Sequence, residues 1–195
     1  MIAVIPGSVD YVPNFLDASD ADELFARLAD EQTWRLRHEF FDHHYGWPAR
    51  CIMNLLPGSD RFKFDGRSKV PADTWSDEAM RLKTRLDARF ERGFNSVFVN
   101  YYRDGKDAMG LHNDIEYEIG DDPIITCVSL GASREFLLTS VNDASVRHSF
   151  IMEHGSLVVM RGDCQKVWRH GVPEMHDVLT PRISLTFREV KFMSP

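Results

Sequence analysis

Cysteine is scarce in this chain: Cys51, Cys127 and Cys164 are the only three in 195 residues, and they are widely spaced. An odd, scattered set excludes a disulfide framework and fits reduced thiols packed in a core. No Cys-x-x-Cys pair occurs, so the ligand spacing of a structural zinc site is missing. No apolar run approaches the roughly 20 residues that a membrane-spanning helix needs, and no membrane partner is expected. The start, Met1-Ile2-Ala3-Val4-Ile5-Pro6, lacks the basic region and small-residue cleavage site of a secretory leader, so the expected location is cytoplasmic. Repeats and low-complexity blocks are absent. Positive charge is also short, and a net charge of −7 argues against an indiscriminate binder of polyanions.

What remains is an ordinary globular composition, 43% apolar and 27% charged. At 195 residues the chain can bury one good core, and a single domain over 1–195 is expected. Charge is unevenly spread. Residues 1–32 hold seven acids against Arg27, whereas 50–69 hold Arg50, Arg61, Lys63, Arg67 and Lys69 against Asp60 and Asp65. That basic stretch also carries Phe62 and Phe64, and basic groups interleaved with aromatics suit a surface that tracks a phosphate backbone and stacks bases. A solvated charged loop is the alternative.

Helical spacing predicts one helix from a cap at Ser19 or Asp20 to about Glu31, with Leu24, Phe25 and Leu28 inward. A second is predicted from Ser76 to Arg92, with Ala79, Leu82, Leu86 and Phe90 as its buried stripe and Gly93 as its stop. Strands follow at 95–102, 123–130, 134–140, 146–152, 156–161, 165–170 and 182–190. Two helices ahead of many short strands predict an α+β fold in which the helices buttress a sheet sandwich.

Within that frame five residues stand out. His112 and Asp114 are two apart, so on an extended segment both side chains leave one face. His170 follows 58 residues later, on a segment where Trp168, His170 and Val172 share a face. Two histidines and a carboxylate are the ligand set of a non-haem Fe(II) facial triad. Then Arg182-Ile183-Ser184-Leu185-Thr186-Phe187-Arg188 alternates strictly, with the polar residues on one side. Its two arginine backbones would sit about 20 Å apart along the strand, and their long side chains would narrow the gap to grip a small dicarboxylate. Polar residues facing water on a half-exposed strand are the alternative.

The local sequences around these residues resemble the AlkB family of Fe(II)- and 2-oxoglutarate-dependent dioxygenases, in its nucleic-acid demethylating branch. The resemblance runs from Asn100-Tyr101-Tyr102-Arg103 through His112-Asn113-Asp114, Pro123-Ile124-Ile125, Ser129-Leu130-Gly131-Ala132 and His154-Gly155-Ser156-Leu157. It closes with His170-Gly171-Val172-Pro173 and Arg182 to Arg188. It covers residues 60 to 190 and is weak before them. It implies a double-stranded β-helix, or jelly-roll, core over 94–195. Residues 1–93 would then supply an N-terminal extension, a substrate-recognition segment and the two supporting helices.

By the same resemblance His112, Asp114 and His170 bind Fe(II). Asn100 and Tyr102 hydrogen-bond 2-oxoglutarate, Arg182 pairs with its distal carboxylate, Arg188 lies near its chelating end and Asp114, and Thr186 shapes the pocket. Phe64 resembles the aromatic that stacks on the target base, with a core aromatic as the alternative. Phe62, Arg61 and Lys63 belong to the same substrate-recognition stretch. Glu116 would accept from the exocyclic amine of a cationic methylated base, with a solvated loop residue as the alternative. Ser184 stands where the family carries Asn, and Ile115 where several members have an acid.

The implied activity is oxidative demethylation of N-alkylated bases in nucleic acid, DNA ahead of RNA, with Fe(II), 2-oxoglutarate and O2, and release of formaldehyde, as in the repair of alkylation damage. A flipped or single-stranded base would be the substrate, and a monomer is expected. Two rivals stay open. One is the same oxygenase chemistry on a protein or small molecule, and the other is a jelly-roll binding module without turnover.

Overall fold

Strict alternation in the last strand organises the molecule. In the computed structural model, which describes residues 1–30, 35–36, 50–55, 63–64, 68–69, 77–114 and 122–190, this strand spans Arg182–Arg188. Ile183, Leu185 and Phe187 enter one apolar cluster, while Arg182, Ser184 and Thr186 are buried on the opposite face. The polar face therefore lines an interior rather than solvent.

Chain order gives β1 (Ile2–Ile5), β2 (Val9–Val12), α1 (Ala18–Asp30), β3 (Arg35–Leu36), β4 (Arg50–Leu55), β5 (Lys63–Phe64), β6 (Ser68–Lys69) and α2 (Asp77–Phe90). The strand-rich part follows: β7 (Ser96–Tyr102), β8 (Met109–His112), β9 (Ile124–Gly131), β10 (Arg134–Ser140), β11 (Arg147–Met152) and β12 (Ser156–Arg161). A helical turn, α3 (Cys164–Val167), then leads to β13 (Trp168–Val172), and β14 is the strand at Arg182–Arg188. An eight-stranded sheet runs β1-β2-β12-β9-β14-β7-β4-β3, a four-stranded sheet runs β11-β10-β13-β8, and β5 and β6 pair separately. All pairings are antiparallel, as in the jelly roll.

Two apolar clusters divide the core. One packs Leu24 and Leu28 of α1 and Ala79, Leu82 and Leu86 of α2 against Val97, Val99, Val128, Leu130, Ile183, Leu185 and Phe187 of the larger sheet. The other lies between the sheets, where Tyr102, Ile125 and Val158 meet Phe136, Leu138 and Trp168. The helices thus buttress the outer face of the large sheet, and the barrel interior is left for side chains of mixed character.

Several boundaries differ from the sequence reading, each for a local reason. The first helix begins at Ala18, because Asp17 Oδ1 accepts the Asp20 N–H at 2.8 Å and is its cap. The second stops at Phe90. Glu91 takes a left-handed φ of 52°, and Asp87 Oδ1 accepts the Phe94 N–H at 2.9 Å. Residues 165–167, expected as strand, belong instead to the helical turn Cys164–Val167, closed by Trp168 N–H donating to the Cys164 carbonyl. β8 was not anticipated, since four residues with Gly110 among them carry no period-2 signal. The short strands of the N-terminal part join the large sheet, with β2 pairing β12 and β4 pairing β7.

Close approach of β8 and β13 needs Gly171. A Cβ there would stand 2.7 Å from the Met109 carbonyl oxygen and 3.1 Å from Gly110 backbone atoms, none of which can swing aside. Gly171→Ala should lower stability by about 1–3 kcal/mol, the cost of overpacking a closed site. An unchanged urea midpoint would show that these strands separate freely.

Candidate metal centre and anion pocket

Sheet register builds the first part of the site. In the β8–β13 pair His112 lies directly opposite His170, and the ring centroids are 4.3 Å apart. Opposed residues of an antiparallel pair project to one face, which explains how residues 58 apart in sequence meet. Asp114 follows just past the end of β8. One ligand atom from each of His112, Asp114 and His170 lies within 4.8 Å of the others. His112 Nδ1 is 2.8 Å from the Gly110 carbonyl, a contact that puts the proton on Nδ1 and the lone pair on Nε2. Phe136 stacks on the His170 ring at 5.5 Å and 17°.

Electrostatics favour the metal-binding protonation states. Burial would raise the Asp114 carboxyl, but the Arg188 guanidinium and the two imidazoles outweigh it and hold the group at about 2. Burial, with the neighbouring His112, pushes His170 down to about 3, so its imidazole is neutral at physiological pH. Burial and the nearby Asp114 carboxylate push the Cys164 thiol up to about 12, which makes it an inert packing group. Asp114 Oδ2 and His170 Nδ1 are buried without a hydrogen-bond partner. Buried polar atoms left open between two imidazoles and a carboxylate fit a divalent cation of the Fe(II) type.

The interior end of β14 forms the second part. Arg182 is 1% exposed, and its Nε donates to Ser129 Oγ at 2.9 Å. Its Nη2 meets only the Met152 sulfur at 3.5 Å, and Nη1 has no partner. Among the described residues no carboxylate pairs with it, and a buried cation in that condition is costly unless an anion arrives. Tyr102, Asn100 and Ser184 stand beside it by register, Arg182 opposite Tyr102 and Ser184 opposite Asn100. Asn100 Oδ1 is also buried and unpartnered. Burial raises the Tyr102 phenol despite Arg182, so it stays a neutral hydroxyl. These groups fit a small dicarboxylate such as 2-oxoglutarate.

Each residue singled out in the sequence can now be placed. His112, Asp114 and His170 come together at one end of the interior. Asn100, Tyr102 and Arg182 line the other end, and Thr186 is buried on the face between. Arg188 does not reach toward Arg182, because its Nη2 is ion-paired with Asp114 Oδ1 at 2.5 Å. Lys63 and Phe64 lie in β5. Their side chains, together with Arg61, Phe62 and Glu116, fall outside the described residues.

Four further residues were given no role by the sequence. Ser129 holds Arg182, and its only signal is a hydroxyl on a strand face otherwise formed by Ile125 and Cys127. Arg134, fully buried, donates to the carbonyls of Asp104, Asp107 and Pro173, closing the bottom of the barrel with two loops. It flanks Tyr102 at 5.4 Å, with Arg182 at 4.9 Å. Gln165 accepts the Asp114 N–H, and Asn113 donates to the carbonyls of Gln165 and Trp168. No local pattern flags them, because their partners come from distant segments.

Comparison with known proteins agrees with this geometry. Residues 8–188 match the family model of the 2OG-Fe(II) oxygenase superfamily. The chain is 33% identical over 94% of its length to the DNA oxidative demethylase ALKBH2 of Mus musculus, covering 80% of that protein. It is 29% identical over 97% of its length to the Mus musculus alpha-ketoglutarate-dependent dioxygenase alkB homolog 3, and spans 69% of that relative. Of the Bos taurus form it spans 64%. Among solved structures, OsALKBH1 superposes with a TM-score of 0.64 at 17% identity, covering 95% of this chain and 99% of that one. A Pseudomonas putida prolyl-4-hydroxylase does so at 0.61 and 14% identity, covering 96% and 95%. At such identities these two similarities speak for the fold alone.

The pKa directions give a checkable signature in metal-free protein. Below its ordinary value of 6.5 the unfolded chain protonates His170, while the folded chain resists until about 3. Stability is therefore full above pH 6.5 and falls as the pH drops through that window. Asp114, depressed from 3.8 to about 2, adds stability that is present above 3.8 and lost below it. Wild type should lose stability more steeply than His170→Asn between pH 6.5 and 4.5, measured by urea unfolding. Parallel profiles would contradict the buried neutral imidazole.

Proposed function

Because the chain belongs to the 2OG-Fe(II) oxygenase superfamily, among the AlkB homologues, we propose that it removes alkyl groups oxidatively from N-alkylated bases in nucleic acid, with DNA preferred to RNA. The observation that carries this reading is the pairing of two unsatisfied sites in one interior. The cluster of His112, Asp114 and His170 lies at one end, and Arg182, buried without a counter-ion among the described residues, lies at the other.

Bound Fe(II), with 2-oxoglutarate and O2 as co-substrates, supplies the oxidation that turns an N-methyl group into a hydroxymethyl group, which leaves as formaldehyde, with succinate and CO2 as co-products. The residues of this chain set the conditions. His112, Asp114 and His170 hold the metal, and Arg188 keeps the Asp114 carboxylate ionised and aimed. Arg182 receives the distal carboxylate of the co-substrate, steadied by Ser129 and flanked by Tyr102. Asn100 and Thr186 complete the wall. Arg134 ties two loops together beside Tyr102 at the anion end. A base must leave its stack to enter, at a cost of a few kcal/mol that damage or single-strandedness reduces.

The test is formaldehyde and succinate release with Fe(II), 2-oxoglutarate and ascorbate, on matched methylated and unmethylated oligonucleotides of DNA and RNA. Product confined to methylated strands is expected. Succinate release indifferent to any oligonucleotide would contradict the nucleic-acid substrate. Asp114→Ala should remove turnover altogether while leaving soluble protein. Arg182→Met should raise the KM for 2-oxoglutarate by roughly 10- to 100-fold, the loss of a charge-assisted hydrogen-bonded pair worth about 1.5–3 kcal/mol. A KM within twofold of wild type would remove Arg182 from the pocket.

A further inference from the structure

The β8–β13 ladder ends at the His112–His170 pair, so the backbone of Asp114 lies beyond the last strand neighbour that could fix it. Yet Asp114 is only 8% exposed, and its N–H must be satisfied inside the protein. Gln165 satisfies it: Oε1 of that side chain accepts the Asp114 N–H at 2.8 Å. Gln165 is 4% exposed, and its Nε2 faces the Met160 sulfur at 3.5 Å. The amide orientation follows, because the opposite flip would set NH2 against N–H.

Asn113, between the two ligands, completes the connection. Both of its Nδ2 donors are used, one to the Gln165 carbonyl at 2.6 Å and one to the Trp168 carbonyl at 2.7 Å. These are carbonyls at the end of α3, which a one-turn helix leaves without internal partners. Three hydrogen bonds therefore tie the His112–Asp114 segment to the turn that launches β13 and His170. Arg188 restrains only one carboxylate oxygen of Asp114, whereas the Gln165 bond holds its backbone and the two Asn113 bonds hold the residue before it.

We propose that Asn113 and Gln165 are positioning residues for the metal centre, latching the Asp114 arm to the His170 arm so that the third ligand keeps its place beside the two histidines. This rests on the reading of His112, Asp114 and His170 as the metal ligands. The latch acts through Asp114, and neither side chain need touch the metal.

The test is anaerobic Co(II) titration of the full chain, read by affinity and by the visible spectrum, which reports coordination. Wild type, Asn113→Ala, Gln165→Met and, as reference, Asp114→Ala are compared, with thermal melts of each metal-free protein. Gln165→Met keeps the volume and removes the acceptor, so it decides the question if Asn113→Ala fails to fold. Affinity should fall 10- to 100-fold, as for other groups that orient metal ligands, and the spectrum should move toward that of Asp114→Ala. A loss smaller than fivefold with the wild-type spectrum would overturn the proposal, and a lowered melting temperature alongside it would mark the bonds as purely structural. Wild-type protein that takes up no Co(II) would overturn the ligand assignment itself, and this proposal with it. Unaltered variants of a protein that does bind Co(II) would overturn the latch alone.

Discussion

Arg182 is almost wholly buried, held by one hydroxyl and one sulfur, and among the described residues no carboxylate neutralises it. A guanidinium in that state constrains everything around it, since an isolated interior charge is tolerated only where the fold is otherwise stable and an anion can be received. The apolar side of the same strand supplies the stability. Ile183, Leu185 and Phe187 are fully buried against the helices, and β14 is paired on both edges, with β7 and β9. One strand thus spends its outer face on packing and its inner face on chemistry.

Arg188, six residues along β14, explains how the two ends of the interior are kept distinct. It is committed to Asp114, which cancels its charge and fixes a ligand, while Arg182 keeps its charge for an incoming group. Had both arginines been open, the interior would hold two uncompensated cations. Arg134 already adds a third nearby, hydrogen-bonded to backbone carbonyls, and burial together with Arg182 lowers its pKa. Two buried guanidiniums, Arg182 and Arg134, therefore stand at the closed end of the pocket, while the Arg188 charge at the metal end is paired with Asp114.

Much of this was legible in the sequence because it rests on period and spacing. The alternation of residues 182–188 gave both faces of β14, the stripe Ala79, Leu82, Leu86 gave the packed side of α2, and His112-x-Asp114 with a distant His170 pointed to a metal. What escaped depends on contacts between distant segments. β8 is too short and too glycine-interrupted to show a period, yet its register sets the histidine pair. Residues 165–167 read as strand by extension from the shared face of Trp168, His170 and Val172, and their helical form is settled by the Lys166 and Val167 N–H groups donating to the Asp163 carbonyl. Arg134, Asn113 and Gln165 look like ordinary polar residues until the carbonyls and N–H they satisfy are brought to them by the fold.

The central claim is that the interior is a socket for a dicarboxylate, with a metal at one end and Arg182 at the other. The most direct measurement is calorimetric binding of 2-oxoglutarate and of 2-oxobutyrate, which lacks the distal carboxylate, to metal-loaded protein without oxygen. The account predicts that 2-oxoglutarate binds at least tenfold more tightly, because only it reaches Arg182. Equal affinities would contradict it, and would leave the buried guanidinium without a partner.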